Sequence, residues 1–92
     1  PVAEENSKNE KTIPINIMIT EDGRYLINEK LVESSDIDDM ANVLKGIAQG
    51  KEDTPVIISA DANARHQSII NMMEASRKAK LSKIAFTTKP VN

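Results

Sequence analysis

The chain has 92 residues, of which 39% are hydrophobic and 28% charged, and its formal net charge is -2 at pH 7. This length and composition predict one globular domain with a single modest core. The slight acidity and the scarcity of aromatic side chains (Tyr25 and Phe86) argue against a nucleic-acid-binding domain, and the lack of cysteine excludes disulfides, thiolate nucleophiles and cysteine-ligated zinc.

The chain opens with a polar segment. Pro1–Lys11 is charged, lacks hydrophobic periodicity and carries too little apolar surface to offset the entropy of ordering, so it is predicted to be a flexible linker. The folded domain is expected over residues 12–92. No stretch of the sequence is apolar enough for a signal peptide or a transmembrane helix. Because the first residue is proline rather than methionine, we expect either an artificially shortened chain or a processed fragment.

The next segment predicts a β-hairpin. In Thr12–Thr20, isoleucines at positions 13, 15, 17 and 19 alternate with other residues, which is the pattern of a half-buried strand. Glu21–Gly23 is a turn signal, and Arg24–Asn28 then predicts the second arm of the hairpin. A further turn leads to a short extended piece, Leu31–Val32.

Two helices are predicted from apolar residues at helical spacing. The first runs from about Asp36 to Gln49, with Ser34–Asp36 supplying the N-cap and Gly50 the C-cap. Its stripe is made of Ile37, Met40, Ala41, Leu44, Ile47 and Ala48. The second runs from about Ala64 to Lys80. Its predicted stripe comprises Ile69, Ile70, Met73 and Leu81, flanked by Met72 and Ala79. Because the two methionines are adjacent, one of them must point partly away from the core.

Two more strands surround the second helix. Val56–Ala60 is a short apolar run that predicts a buried central strand, and Ser82–Thr88 predicts the last strand, which Pro90 ends. The order is therefore β-β-α-β-α-β, and a β-α-β unit has parallel strands. The predicted fold is of the α+β class: a two-layer sandwich of one mixed sheet with both helices on one face.

The polar residues form no catalytic constellation. His66, the only histidine, is a candidate general base or pH switch, but a solvated position in the first turn of a helix is the simpler interpretation. Asp36, Asp38 and Asp39 lack the spacing of a calcium-binding loop, and acids are expected at a helix N-terminus. We therefore expect no catalytic residue, no metal site and no cofactor.

A basic cluster ends the second helix and allows two interpretations. Cations are favourable at a helix C-terminus by themselves, and they are also suited to binding a partner. The cluster comprises Arg77, Lys78, Lys80 and Lys83. With no visible chemistry, the residues predict a small binding or scaffold domain whose exposed strand edges are its interaction surface.

Several segments resemble the periplasmic domain of the ExbD/TolR family. They are DTPVIISAD (Asp53–Asp61), QSIINMMEASRKA (Gln67–Ala79), SKIAFTTKP (Ser82–Pro90) and, upstream, RYLINEKLV (Arg24–Val32). Each motif is mostly core and turn, and their order and spacing carry the resemblance over about residues 12–90. DTPVIISAD favours the ExbD branch, with TolR as the alternative.

The resemblance implies a non-enzymatic role in a membrane motor. Members have one transmembrane helix with an essential aspartate, followed by a linker and this domain in the periplasm. They pair with ExbB or TolQ in the bacterial inner membrane, and the proton-driven motor energises TonB for uptake of iron-siderophores and vitamin B12, or TolA for envelope integrity. The resemblance therefore implies a periplasmic domain of a single-pass inner-membrane protein, a homodimer, and contact with a TonB-like or TolA-like protein.

Two positions depart from the family pattern. Phe86 stands where the family has a functionally important leucine, with Ala85 in place of the preceding glycine, and Lys80 replaces the glycine that usually follows the second helix. Lys80 must then adopt a helix-terminating conformation or extend the helix.

For the partner site we expect a sheet edge that accepts an extended segment of TonB. The candidate edges are the last strand, with Ile84, Ala85, Phe86 and Thr87, and the hairpin strand holding Ile15 and Ile17. A peptidoglycan-binding module and a small enzyme are the competing classes. Against the first, the sequence lacks aromatic residues on which sugar rings could stack. Against the second, it lacks residues for a deep polar pocket.

Overall fold

The computed structural model describes residues 13–89. The predicted linker, Pro1–Lys11, lies outside this range. Seven elements follow in chain order: β1 (Ile15–Ile19), β2 (Tyr25–Ile27), β3 (Lys30–Val32), α1 (Ile37–Ala48), β4 (Val56–Asp61), α2 (His66–Lys78) and β5 (Ile84–Lys89). The predicted α+β class is confirmed, and the short extended piece at 31–32 is a strand of its own.

The described strands form one mixed sheet in the order β3-β2-β1-β4-β5. The hairpin strands β1, β2 and β3 pair antiparallel, whereas β4 pairs parallel with both β1 and β5. Because β1, β4 and β5 run in the same direction, they all begin at one edge of the sheet. We call the end of the sheet where these strands begin the strand-start edge, and the end where they finish the strand-end edge. Both differ from the outer sides of the two edge strands, β3 and β5.

Strand alternation places one face of the sheet in the core. Ile15, Ile17 and Ile19 of β1 are buried, as are Val56, Ile58 and Ala60 of β4, which share their face through the pairing register. The helices cover this face with their own buried residues: Met40, Ala41, Leu44 and Ala48 from α1, and Ser68, Met72, Ala75 and Ser76 from α2. The core is therefore aliphatic, with Tyr25 as its aromatic member.

Local sequence sets the helix ends. The Asp36 side chain accepts a hydrogen bond from the Asp39 backbone N–H and caps α1. It is the last of the three residues predicted to supply the cap. At its other end, Gln49 adopts the left-handed conformation at φ 52°, and Gly50 follows at φ 81°. Helix α2 ends in paired bonds from the Lys80 N–H to the Arg77 carbonyl and from the Leu81 N–H to the Ser76 carbonyl. This is a Schellman motif, in which Lys80 occupies the left-handed position at φ 65°.

Two expectations about the second helix are corrected. The apolar stripe is centred on Met72, which is fully buried, whereas Ile70 and Met73 are exposed. One methionine of the pair does point outward, as expected. The helix is also shorter than predicted and spans His66–Lys78.

Candidate functional site

The free edges of the sheet belong to β3 and β5. In the described chain each of these strands has a neighbour on one side only, so the backbone groups on its other side lack a strand partner. The predicted edge at β5 is confirmed. The predicted edge at β1 is wrong, because β1 lies between β2 and β4, and its residues Ile15 and Ile17 are 0% and 1% exposed.

Strand β5 presents different side chains to its two faces. Ile84 pairs with Val56 and Phe86 with Ile58, so both point toward the helix side of the sheet. Ile84 packs partly against the core, but Phe86 keeps 48% of its surface exposed. Ala85 and Thr87 point to the open face, where the Thr87 hydroxyl donates to the Ser59 hydroxyl oxygen at 3.1 Å.

An exposed apolar flank of α2 lies on the β5 side of the molecule. The Lys78 ammonium lies 2.7 Å from the Asp38 carboxylate of α1, so this flank of α2 faces α1. Helical spacing puts Ile69 and Met73 on the opposite flank. Helix α1 shares a groove with β2 and β3, so it lies over that half of the sheet. The flank of α2 that faces away from α1 therefore lies toward β5. Met73, 43% exposed, therefore shares the β5 side of the molecule with Phe86.

The β3 edge carries a second apolar surface. A groove of about 500 Å³ runs between β3 and α1. Its apolar lining residues are Ile27, Leu31, Val32, Val43 and Ile47. Val43 and Ile47 remain exposed because β3 is only three residues long and leaves the outer flank of α1 uncovered. Leu31 is exposed because its pairing with Leu26 places it on the open face of the sheet.

Charged side chains gather in separate groups. Glu21, Asp22 and Arg65 line one pocket at the strand-end edge. At the strand-start edge, Lys45, Lys51 and Lys80 line a cavity together with Glu52. Lysines therefore outnumber acids around that cavity.

The predicted polar candidates are placed within this fold. His66 is the exposed first residue of α2. Asp36 caps α1, Asp39 accepts a hydrogen bond from the Ser34 hydroxyl, and Asp38 pairs with Lys78. The hydrogen bond to the Lys78 ammonium lowers the pKa of Asp38, and the same bond raises the pKa of Lys78. Over residues 13–89 no group of three or more potential metal ligands is found.

The basic cluster predicted at the end of α2 is divided among different surroundings. Arg77 pairs with Glu74 and Lys78 with Asp38, whereas Lys80 lines a cavity together with Lys45 and Lys51. The sequence did not group these three lysines, because the helix ends that carry them come together only through the parallel pairing of β4 and β5. The exposed Met73 was missed for another reason: it was assigned to the core stripe.

Comparison with known families shows the family to which the chain belongs. A family described as "Biopolymer transport protein ExbD/TolR" matches residues 1–91. A search of curated proteins found no match. In the described range no helix combines the length and apolar character needed to cross a bilayer. Because the family match covers nearly the whole sequence, the chain belongs to the ExbD/TolR family, whose members are membrane-anchored motor subunits that energise biopolymer transport.

Proposed function

We propose that this chain is the periplasmic domain of an ExbD-type subunit. The subunit would pair with an ExbB-like protein in a proton-motive-force-driven motor of the bacterial inner membrane. The motor would energise TonB for import of iron-siderophores or vitamin B12 through the outer membrane. Family membership supports a motor subunit of the ExbD/TolR type, and the DTPVIISAD segment favours the ExbD branch over the TolR alternative.

The observation that carries the proposed mechanism is the free edge of β5. A strand with unpaired backbone groups on one side can accept an extended peptide, which adds main-chain hydrogen bonds and continues the sheet. Phe86, half exposed on the helix side, supplies an apolar contact for the peptide residue that lies beside it on that face. The partner-binding residues are therefore Ile84 to Thr87, with Phe86 as the anchor.

The apolar flank of α2 strengthens this assignment. A strand added beside β5 would lie under the side of α2 that carries Met73 and cover part of its exposed surface. Burying an aromatic and a methionine side chain from water is favourable by about 1.5–3 kcal/mol each when burial is complete. Both side chains are already about half buried, so the gain on binding is correspondingly smaller.

Dimerisation through β5 would use the same side of this strand as the TonB segment. A two-fold dimer formed by pairing β5 with its copy would occupy the edge that the TonB segment needs. Two roles at one edge compete, unless the dimer is built through β3. We therefore expect TonB binding to depend on protein concentration if β5 mediates both contacts.

The test is a titration of the isotope-labelled domain with the periplasmic part of TonB from the same organism, followed by two-dimensional amide NMR. Shifts are expected at Ile84 to Thr87. Phe86→Asp should abolish them, because a carboxylate cannot enter an apolar contact without a large desolvation cost. Leu31→Asp is the matched control: it makes the same kind of change on the other edge strand, at a residue of similar exposure, and should leave binding intact.

Three results would contradict the proposal. Binding unaltered by Phe86→Asp in a domain with native amide dispersion would remove β5 as the site. Shifts with the TolA counterpart but not with TonB would assign the chain to the TolR branch. Pull-down with purified peptidoglycan, combined with no response to either protein, would favour a cell-wall-binding module.

A further inference from the structure

A lysine-rimmed cavity lies at the strand-start edge, between the C-terminal ends of the two helices, and contains no residue of β5. Helices α1 and α2 both end at this edge, because each leads into a strand of the parallel pair β4 and β5. The cavity between the helix ends has a volume of about 250 Å³. Its floor is apolar and its rim is basic; the floor residues are Ala48, Ala79 and Leu81, and the rim lysines are Lys45, Lys51 and Lys80.

The rim carries an excess of positive charge. Glu52 is the one acid among the lining residues, against three lysines. Among the ion pairs of residues 13–89, none involves these lysines; those ion pairs join Arg24 to Asp22, Arg77 to Glu74 and Lys78 to Asp38. The cavity is therefore complementary to negative charge, in a chain whose overall charge is negative.

Helix dipoles account for part of this basic rim, but not for all of it. Cations near a helix C-terminus offset the partial negative charge of unpaired carbonyls. Here those carbonyls are largely satisfied by the capping turns: the Gln49 and Lys51 N–H groups bond to α1, and the Ala79, Lys80 and Leu81 N–H groups bond to α2. The lysine ammonium groups are therefore not required to offset those carbonyls, and their positive charge can act on a ligand.

Lys80 adds an independent observation. Its backbone is left-handed at φ 65°, a conformation that glycine adopts without strain and that a residue with a Cβ adopts at a cost. The fold needs only the backbone conformation at this position, for which glycine is the better residue. The lysine side chain contributes nothing to the core, since Lys80 is exposed, but it places an ammonium group on the rim of the cavity.

We propose that this cavity binds an acidic peptide segment carrying one apolar anchor residue. The anchor side chain would enter between Ala48, Ala79 and Leu81, and flanking carboxylates would reach the rim lysines. The volume is below the roughly 300–1,000 Å³ of typical small-molecule sites and suits a single side chain. The site is separate from the β5 edge, so it stands whether or not TonB binds there.

Two other occupants share the negative charge. One is an acidic segment of a second copy of this chain, and the other is a membrane surface with anionic lipids. A lipid surface has no single apolar side chain between carboxylates, and in the folded domain the segment Asp36-Ile37-Asp38 keeps Ile37 packed against the core. The apolar floor therefore favours the peptide.

The probe is a blocked peptide with leucine flanked by two glutamates on each side, titrated into the labelled domain and followed by amide NMR. Shifts are expected at Gly50, Lys51, Lys80 and Leu81, and not at β5. The glutamine-flanked peptide should bind more weakly, and so should the glutamate peptide at about 1 M salt, where charges interact only within about 3 Å.

Lys80→Gly is the decisive variant, because it removes one rim cation while relieving backbone strain and so does not endanger the fold. It should weaken the glutamate peptide by about two- to fivefold, the effect of one exposed ion pair. Lys30→Gln is the matched control. It removes the same charge from the same edge, at a residue that lines the β3 groove instead of the cavity.

Specific outcomes would overturn the proposal. Equal weakening by both variants would mean that general charge attracts the peptide, without a site. If the same amides shift on concentrating the domain alone and the peptide adds nothing, a second copy is the occupant. If vesicles containing anionic phospholipid shift them while the peptide does not, the surface binds lipid. If TonB causes no amide shifts at β5 while the peptide binds in the cavity, only the proposed function is contradicted.

Discussion

The Tyr25 hydroxyl donates a hydrogen bond to the backbone carbonyl of Ser68 across an oxygen–oxygen distance of 2.8 Å. The two residues are 43 positions apart and both are buried. The bond therefore fastens β2 of the hairpin to the first turn of α2, the helix that leads into the β5 edge. It couples the half of the sheet ending in β3 to the half ending in β5.

Replacing Tyr25 with phenylalanine removes this bond while keeping the ring in the core. Because a net buried hydrogen bond contributes about 0.5–1.5 kcal/mol, we expect the free energy of unfolding to fall by about 1 kcal/mol. Urea unfolding measures it. Ser76→Ala is the control: it deletes another buried hydroxyl, which bonds within its own helix to the Met72 carbonyl at 3.0 Å. Alanine favours the helix, so little change is expected there; equal losses would contradict the assigned role of the Tyr25 bond.

The same tyrosine predicts a loss of stability in alkali. Burial raises the pKa of Tyr25 above its ordinary value of 10.0, and the contacts with Ser68 and Asn71 act in the opposite direction with smaller effect. The unfolded chain thus loses the phenolic proton at a lower pH than the folded chain. This contribution to stability is complete below pH of about 10 and is lost as the pH rises toward the folded pKa.

The measurement uses the fact that Tyr25 is the only tyrosine of the sequence. Phenolate absorbance of the native domain should titrate at a higher pH than that of the urea-unfolded chain. The decline of unfolding free energy above pH of about 10 should be shallower in Tyr25→Phe, since the phenol no longer contributes to it. Identical pH profiles for both proteins would show that the phenol ionises without opposing the fold.

The two helix N-termini predict different responses to alanine. Asp36 accepts the Asp39 N–H at 3.2 Å, whereas Arg65, at the same position of α2, makes no side-chain capping bond. Asp36→Ala should lower the free energy of unfolding by about 1 kcal/mol, the usual effect of losing an N-cap. Arg65→Ala should have almost none. Thermal unfolding of both variants tests the pair, and similar shifts would rule out a specific capping effect.

How far the sequence predicts this fold depends on the element. The isoleucine alternation of β1 correctly identifies a half-buried strand, and Asp36 correctly marks the start of α1. Alternation reports which face of a strand is buried, but it carries no information about which strands lie beside it. The central position of β1 follows from its parallel pairing with β4, a contact between residues about 40 positions apart that no local pattern encodes.

The apolar flank of α2 was unpredictable for a related reason. Adjacent apolar pairs, Ile69-Ile70 and Met72-Met73, allow helical stripes about 100° apart, and sequence alone cannot choose between them. The structure centres the buried face on Met72 and includes the small residues Ser68 and Ser76, which let the helix approach the sheet. The exposed Met73 of the candidate site is the consequence of that choice.

Lys80 offers a gain in stability at a single backbone position. At φ 65° it stands in the left-handed site of the Schellman motif, where a side chain costs about 1–2 kcal/mol relative to the right-handed helix. Lys80→Gly removes this backbone strain from the folded state. Glycine also raises the entropy of the unfolded chain, which offsets part of the effect, so the free energy of unfolding should rise by about 1 kcal/mol. Lys80→Ala, which loses the charge and keeps the Cβ, should bring no gain. Improvement by alanine as well would trace the effect to charge.

The turn between β2 and β3 predicts a similar gain on the β3 side of the sheet. Asn28 and Glu29 both have positive φ, at 51° and 71°, between the paired residues Ile27 and Lys30. This is the two-residue hairpin turn that favours asparagine followed by glycine. Glu29→Gly should stabilise it by about 0.5–1 kcal/mol, and Glu29→Ala should not, because alanine keeps the Cβ that opposes positive φ. Since β3 is a free edge, the gain should appear first as slower amide hydrogen exchange at Lys30 to Val32. Faster exchange there in Glu29→Gly would mean that the glutamate side chain, not the backbone, holds the turn.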